Sequence, residues 1–136
     1  MEKSAEMAPP GPLRVGIDLI ALREVAASLG RFGVQYEERV FTAQEIAYCR
    51  SSPGTVSVGR FAARFAAKEA AIKVLRPDEP GLDWRSIEVR REPDGSSTLV
   101  LHDGASALAA KRGLSQFAVS LSHDDEYATA VVVAQP

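Results

Sequence analysis

The stretch RFAARFAAKEAAIKVL, Arg60–Leu75, decides how the rest of the chain is read. Its alanines and phenylalanines favour a helix, yet Arg64, Lys68, Glu69 and Lys73 are set among them. At about 100° per residue from Phe61, Phe65 falls near roughly 40°, Ile72 near 20° and Leu75 near 320°, a compact apolar stripe. Glu69 and Lys73 fall at about 80° and 120° and Arg64 at about 300°, on its borders, while Lys68 at about 340° lies inside it. Solvated charges belong opposite such a stripe; these crowd it. Two readings stay open. In one, Glu69 and Lys73 form an i,i+4 pair worth roughly 0.2–0.5 kcal/mol, and Lys68 lays its stem over the core and sends its ammonium to water. In the other, the charges do chemistry.

Upstream, LRVGIDLI (Leu13–Ile20) alternates as a strand, with Leu13, Val15, Ile17 and Leu19 on the apolar face and Asp18 on the other. ALREVAASLGRFG reads as a helix closing at Gly30 or Gly33. Thr42 and Glu45 form a capping box that opens a second short helix, which RSSPGTVS ends. The long helix then runs from about Val58 to Leu75, and Pro77 and Pro80 forbid its continuation. Downstream, WRSIEVRREPDGSSTLVLH is two alternating runs around Asp94-Gly95, a hairpin. Asp103 is expected to cap a helix that Gly113 stops, and FAVSLSHDDEYATAVVVA gives two last strands. The order β-α-α-α-β-β-α-β-β indicates an α+β fold, a small, mostly antiparallel sheet packed against helices. Residues 1–12 read as a flexible N-terminal extension and 13–136 as a single domain.

Composition narrows the classes of function. A chain of 136 residues supports one core. Its net charge of −2 gives no global attraction to nucleic acid or to anionic membrane. Cys49 is the single cysteine, so neither an intrachain disulfide nor a thiolate zinc cluster can form. The opening MEKSAEMAPPGP lacks the apolar run of a secretion signal. A cytoplasmic protein is expected.

Asp18 has two readings of its own. It is either the N-cap of the helix beginning at Ala21 or, with Glu69, half of a carboxylate pair for one hard cation. Magnesium is commonly held by one or two carboxylates together with waters and phosphate oxygens. Arg64, Lys68 and Lys73 would then suit phosphate.

The set GIDLI, RVFTAQE, RFAAKEAAIKVL and VSLSHDDEYATAVVVA, in that order and spacing, closely resembles the holo-acyl-carrier-protein synthases. These are the short, single-domain 4′-phosphopantetheinyl transferases. Their hallmark is a GxD strand, here Gly16-Ile17-Asp18, with a helix bearing (F/W)-A-x-K-E-A-x-x-K, here Phe65–Lys73. The resemblance covers Leu13 to Ala134 and implies transfer of the 4′-phosphopantetheine arm from coenzyme A to a serine of an acyl carrier protein, with release of adenosine 3′,5′-bisphosphate. It implies Mg²⁺ held by Asp18 and Glu69 against the coenzyme A pyrophosphate, and Lys73 neutralising or protonating the leaving group. The serine proton goes to Glu69 or to a metal-ordered water. Arg64, Lys68 and Lys73 are implied to hold phosphates. His123 matches a position near the coenzyme A nucleotide, against a reading as a turn histidine. The resemblance further implies a homotrimer whose neighbouring subunits complete each site.

The chain departs from the family in three places. Glu24 stands where relatives carry a basic residue toward the acidic carrier, VLRPDEPGLDW replaces a Gly-rich turn, and the extension is added. The first two departures point away from the usual carrier and toward one of specialised polyketide or peptide synthesis, with a fatty-acid carrier the alternative. The competing readings are a trimeric interaction protein that kept the fold without turnover, and a coenzyme A or nucleotide sensor.

Overall fold

Glycine and proline decide where the helices begin and break. A computed structural model describes residues 12–136, so the extension assigned to 1–12 lies, Pro12 apart, outside the described residues. Strand β1 (Arg14–Ala21) feeds α1 (Leu22–Phe32), α2 (Val34–Val40), α3 (Ala43–Arg50) and α4 (Gly54–Leu75). After a 3₁₀ turn at Trp84–Ser86 come β2 (Ile87–Arg91), β3 (Ser97–Leu101), α5 (Asp103–Lys111), β4 (Gln116–His123) and β5 (Tyr127–Gln135). The α+β class holds, with two antiparallel sheets in place of one: β1-β5-β4 and β2-β3.

Three local expectations are corrected. Helix α2 adds an element to the expected order: Val34–Val40 has no side-chain cap and β-branched ends, and Gly33, at φ 56°, breaks it from α1. Helix α4 starts a turn earlier than Val58, with Pro53 at its N-cap, while RSSPGTVS ends α3 as expected, at Arg50. Asp103 opens α5 without capping it; the cap position is His102, with no side-chain bond. The Thr42–Glu45 capping box and the Asp94-Gly95 hairpin form as expected, Gly95 taking φ 88°.

The most consequential correction concerns β1. Val15, Ile17 and Leu19, the apolar face of the alternation, are 64%, 59% and 65% exposed. The strand turns Gly16 and Asp18 toward α4 instead. The reason is close approach: Ala62, Ala63, Ala66, Ala67, Ala70 and Ala71 are all fully buried, so α4 lies low on the sheet. A Cβ at residue 16 would collide with the carbonyl of Ala70. Gly16→Ala is therefore expected to destabilise the fold by about 1–3 kcal/mol, read as a lowered denaturation midpoint; an unchanged midpoint would show that β1 can lift off α4 freely.

Candidate active site

Two clusters of functional side chains flank α4, one at each edge of the three-stranded sheet. At the β1 edge, the Lys73 Nζ donates to the carbonyl of Ile17 at 2.7 Å and to Asp18 Oδ1 at 3.3 Å. The i,i+4 pairing of Glu69 with Lys73 is thus replaced by a bridge from helix to strand. Asp18 caps nothing: the N-cap of α1 is Ala21, and Leu22 N donates to the Glu126 carbonyl at 2.8 Å. The Asp18 backbone is fixed from the other side, its carbonyl accepting from Thr129 Oγ1 at 2.8 Å.

Glu69 shares this site. Burial pushes its carboxyl above the usual range, the negative charge of Asp18 adds to the effect, and Lys73 opposes it. Two carboxylates that repel one another beside a single ammonium are a donor set for a hard cation. Among the described residues no group of three or more metal-ligating side chains occurs, and a magnesium site of two carboxylates completed by water and phosphate needs none. The residues present fit Mg²⁺.

At the β4 edge the chemistry is cationic. The guanidinium carbons of Arg60 and Arg64 sit 4.3 Å and 4.4 Å from the Tyr48 ring centroid, and that of Arg91 sits 5.6 Å away. Arg91 Nη1 donates to Tyr48 Oη at 2.9 Å, and Arg60 Nη1 donates to the Tyr48 carbonyl at 3.1 Å. None of these three arginines is ion-paired among the described residues. They line a cavity of about 260 Å³ together with His123. Glycine again permits the placement, since a Cβ on Gly59 would strike the His123 ring. Three guanidinium groups gathered around one tyrosine ring, without ion-pair partners among the described residues, suit a phosphate dianion.

The sequence pointed to Arg64 and His123 but missed Tyr48, Arg60 and Arg91. Arg60 lies one turn before Arg64, and that spacing was the available signal. Arg91 joins Tyr48 across 43 positions, and no local pattern reports it.

Lys68 belongs to neither cluster, which corrects both readings of it. Its side chain is 0% exposed, so it does not reach water. Its Nζ donates to Glu45 Oε1 at 2.8 Å, to the Trp84 carbonyl at 3.1 Å and to the Ile87 carbonyl. Three acceptors use all three of its donors, leaving none for a phosphate.

Asp18 on β1 and His123 on β4 are separated by the whole of β5, about 10 Å of sheet at two strand spacings. The outer face of that sheet is apolar: exposed Val15, Ile17 and Leu19 on β1, with half-buried Val131 and Val133 beside them on β5.

Residues 14–132 match the model of the 4′-phosphopantetheinyl transferase superfamily. The chain is 41% identical over 124 residues to a holo-[acyl-carrier-protein] synthase of Koribacter versatilis, covering 90% of this chain and 98% of the relative. It is 42% identical over 128 residues to the synthase of Paramagnetospirillum magneticum, covering 90% and 96%. Among solved structures it is similar to the ACPS–CoA complex of Chronobacterium ammoniagenes, with a TM-score of 0.77 and 28% identity over 90% of this chain and 96% of that one. It is similar as well to the Helicobacter pylori holo-[acyl-carrier-protein] synthase in complex with coenzyme A, with a TM-score of 0.76 and 25% identity over 90% and 100%.

Proposed function

The chain belongs to the 4′-phosphopantetheinyl transferase superfamily, and on that footing we propose that it is a holo-acyl-carrier-protein synthase. It transfers the phosphopantetheine arm of coenzyme A to a carrier-protein serine in a Mg²⁺-dependent reaction, in the cytoplasm. The observation that carries this reading is the β1-edge cluster: two mutually repelling carboxylates, Asp18 and Glu69, with the Lys73 ammonium 3.3 Å from Asp18.

In this reading Asp18 and Glu69 hold Mg²⁺. When bound, the ion neutralises the pyrophosphate oxygens of coenzyme A, the main demand of phosphoryl transfer. The serine oxygen forms a bond to the β-phosphorus. The bond from that phosphorus to the bridging oxygen breaks, and adenosine 3′,5′-bisphosphate leaves with the electron pair. In this reading the serine proton goes to Glu69 or to a water ordered at the carboxylate pair. Lys73 neutralises charge developing on the departing bisphosphate. Arg60, Arg64, Arg91 and His123 receive the nucleotide's phosphate at the other edge.

A group that acts on the leaving oxygen contributes in the transition state more than in binding. Lys73→Ala is thus expected to lower kcat about ten- to a hundredfold while KM for coenzyme A changes by less than about threefold. An unchanged kcat would return Lys73 to the role of a helix-to-strand tie.

The homotrimer belongs to the same proposal. Its support is the apolar outer sheet face and the division of one substrate's chemistry between opposite sheet edges. An assembly that brings the β1 edge of one subunit to the β4 edge of the next buries the first and joins the second.

Mass spectrometry tests the function. Apo carrier protein incubated with coenzyme A, Mg²⁺ and this protein gains one phosphopantetheine arm. Carriers of fatty-acid and specialised synthesis, run side by side, identify the partner. Coenzyme A binding without mass gain on any carrier would leave a nucleotide-binding protein.

A further inference from the structure

Among the described residues, Lys68 and Glu45 are the ion pair with both side chains 0% exposed. The Glu45 carboxylate ties three elements together. Its Oε1 accepts from Thr42 N at 2.9 Å, closing the cap of α3, and from Lys68 on α4. Its Oε2 accepts from Val89 N of β2 at 3.0 Å. The Lys68 ammonium returns the tie by donating to the carbonyls of Trp84 and Ile87, at the entry to that strand.

The rest of α4 gives such a tie something to do. The face it lays on the sheet is alanine, which fills space but offers few ridges to lock a register. On that face alone a roll costs little packing, so the register against the sheet is held from elsewhere, by Phe61 on Phe41, by Phe65 on Trp84 and by the buried pair. An ammonium with three fixed acceptors cannot follow such a movement without losing them. Stability alone does not call for the pair, because apolar residues of similar volume often replace buried ion pairs with no loss. The residue after Lys68 is Glu69, about 100° further round the helix. Any roll of α4 at Lys68 therefore moves Glu69 relative to Asp18.

We propose that Lys68 and Glu45 are positioning residues: the buried pair fixes the register and rotation of α4 and thereby holds the Glu69 carboxylate against Asp18. The inference rests on the function proposed above. It assigns Lys68 a role through Glu69 instead of a contact with coenzyme A.

The test compares Lys68→Met with the double variant Lys68→Met/Glu45→Gln, in the full chain. Lys68→Met alone leaves the Glu45 carboxylate buried without its counter-charge, so its thermal midpoint should fall. The double variant removes both charges, and its midpoint should return close to the parent's. Its kcat should stay at least about tenfold down, with KM for coenzyme A within about twofold. Its affinity for Mn²⁺, used as the probe ion and read by electron paramagnetic resonance without substrate, should fall at least about fivefold. Recovery of Mn²⁺ affinity and kcat together with the midpoint would overturn the proposal and leave a purely structural pair. A raised KM with kcat kept would overturn it in favour of a direct phosphate contact. Should the double variant not fold, Glu45→Gln alone removes the charge and keeps one acceptor oxygen for Lys68 and Thr42 N, at the cost of the acceptor for Val89 N; unchanged Mn²⁺ affinity there would equally overturn the proposal. A parent protein that neither binds Mn²⁺ nor transfers the arm refutes the proposed function. A competent parent with an unaffected variant refutes this inference alone.

Discussion

Asp18→Ala and Glu69→Ala proteins should each transfer phosphopantetheine roughly 10²–10³-fold more slowly than the parent, the usual cost of removing one preorganised electrostatic group. Their folds should survive. Burial first and the like charge of Asp18 second push the half-buried Glu69 carboxyl up, so deleting it relieves both, and the denaturation midpoint should not fall. In Asp18→Ala the Lys73 ammonium keeps the Ile17 carbonyl at 2.7 Å. Glu69→Gln separates charge from bulk, because it preserves shape and removes a hard anionic donor; its rate should fall nearly as far. Chelator treatment should stop the parent and added Mg²⁺ restore it, whereas excess Mg²⁺ should not rescue either alanine variant. Full rate in either carboxylate variant would remove that residue from the site.

Two inactive proteins should restore activity when they assemble together. If a site takes Glu69 from one subunit and Arg64 with His123 from the next, neither Glu69→Ala nor Arg64→Ala/His123→Ala forms a complete site alone. In randomly co-assembled trimers at equal abundance, one ordered pairing in four is intact, so about a quarter of the parent rate should return. A site complete within one subunit predicts no recovery at any ratio. The apolar face supplies the control. Ile17, 59% exposed on β1, changed to Glu should yield monomers by light scattering and lose transfer, because a buried unpaired carboxylate opposes association. Active monomers would refute the composite site.

The sequence alone determined the features whose causes are local. Thr42 and Glu45 lie three residues apart and close their own capping box. Asp94-Gly95 makes its own turn, with Gly95 in a conformation that glycine adopts without strain. Spacing places the charged positions of α4 around its axis, and with the GxD strand they single out Asp18, Glu69 and Lys73 as candidates, which the fold brings to one sheet edge. Tertiary structure decided which face of an alternating strand is covered. Alternation separates Val15, Ile17 and Leu19 from Gly16 and Asp18, but it cannot say which set meets the helix. The alanine face of α4 settles that by coming so close that only glycine fits at position 16. The same holds for charge. Lys68 looked like a snorkelling or phosphate-binding lysine until α3 and β2 supplied its acceptors. The arginines around Tyr48 come together only when α3, α4 and β2 meet. Periodicity fixes directions along one element, whereas burial and pairing depend on which distant element arrives opposite.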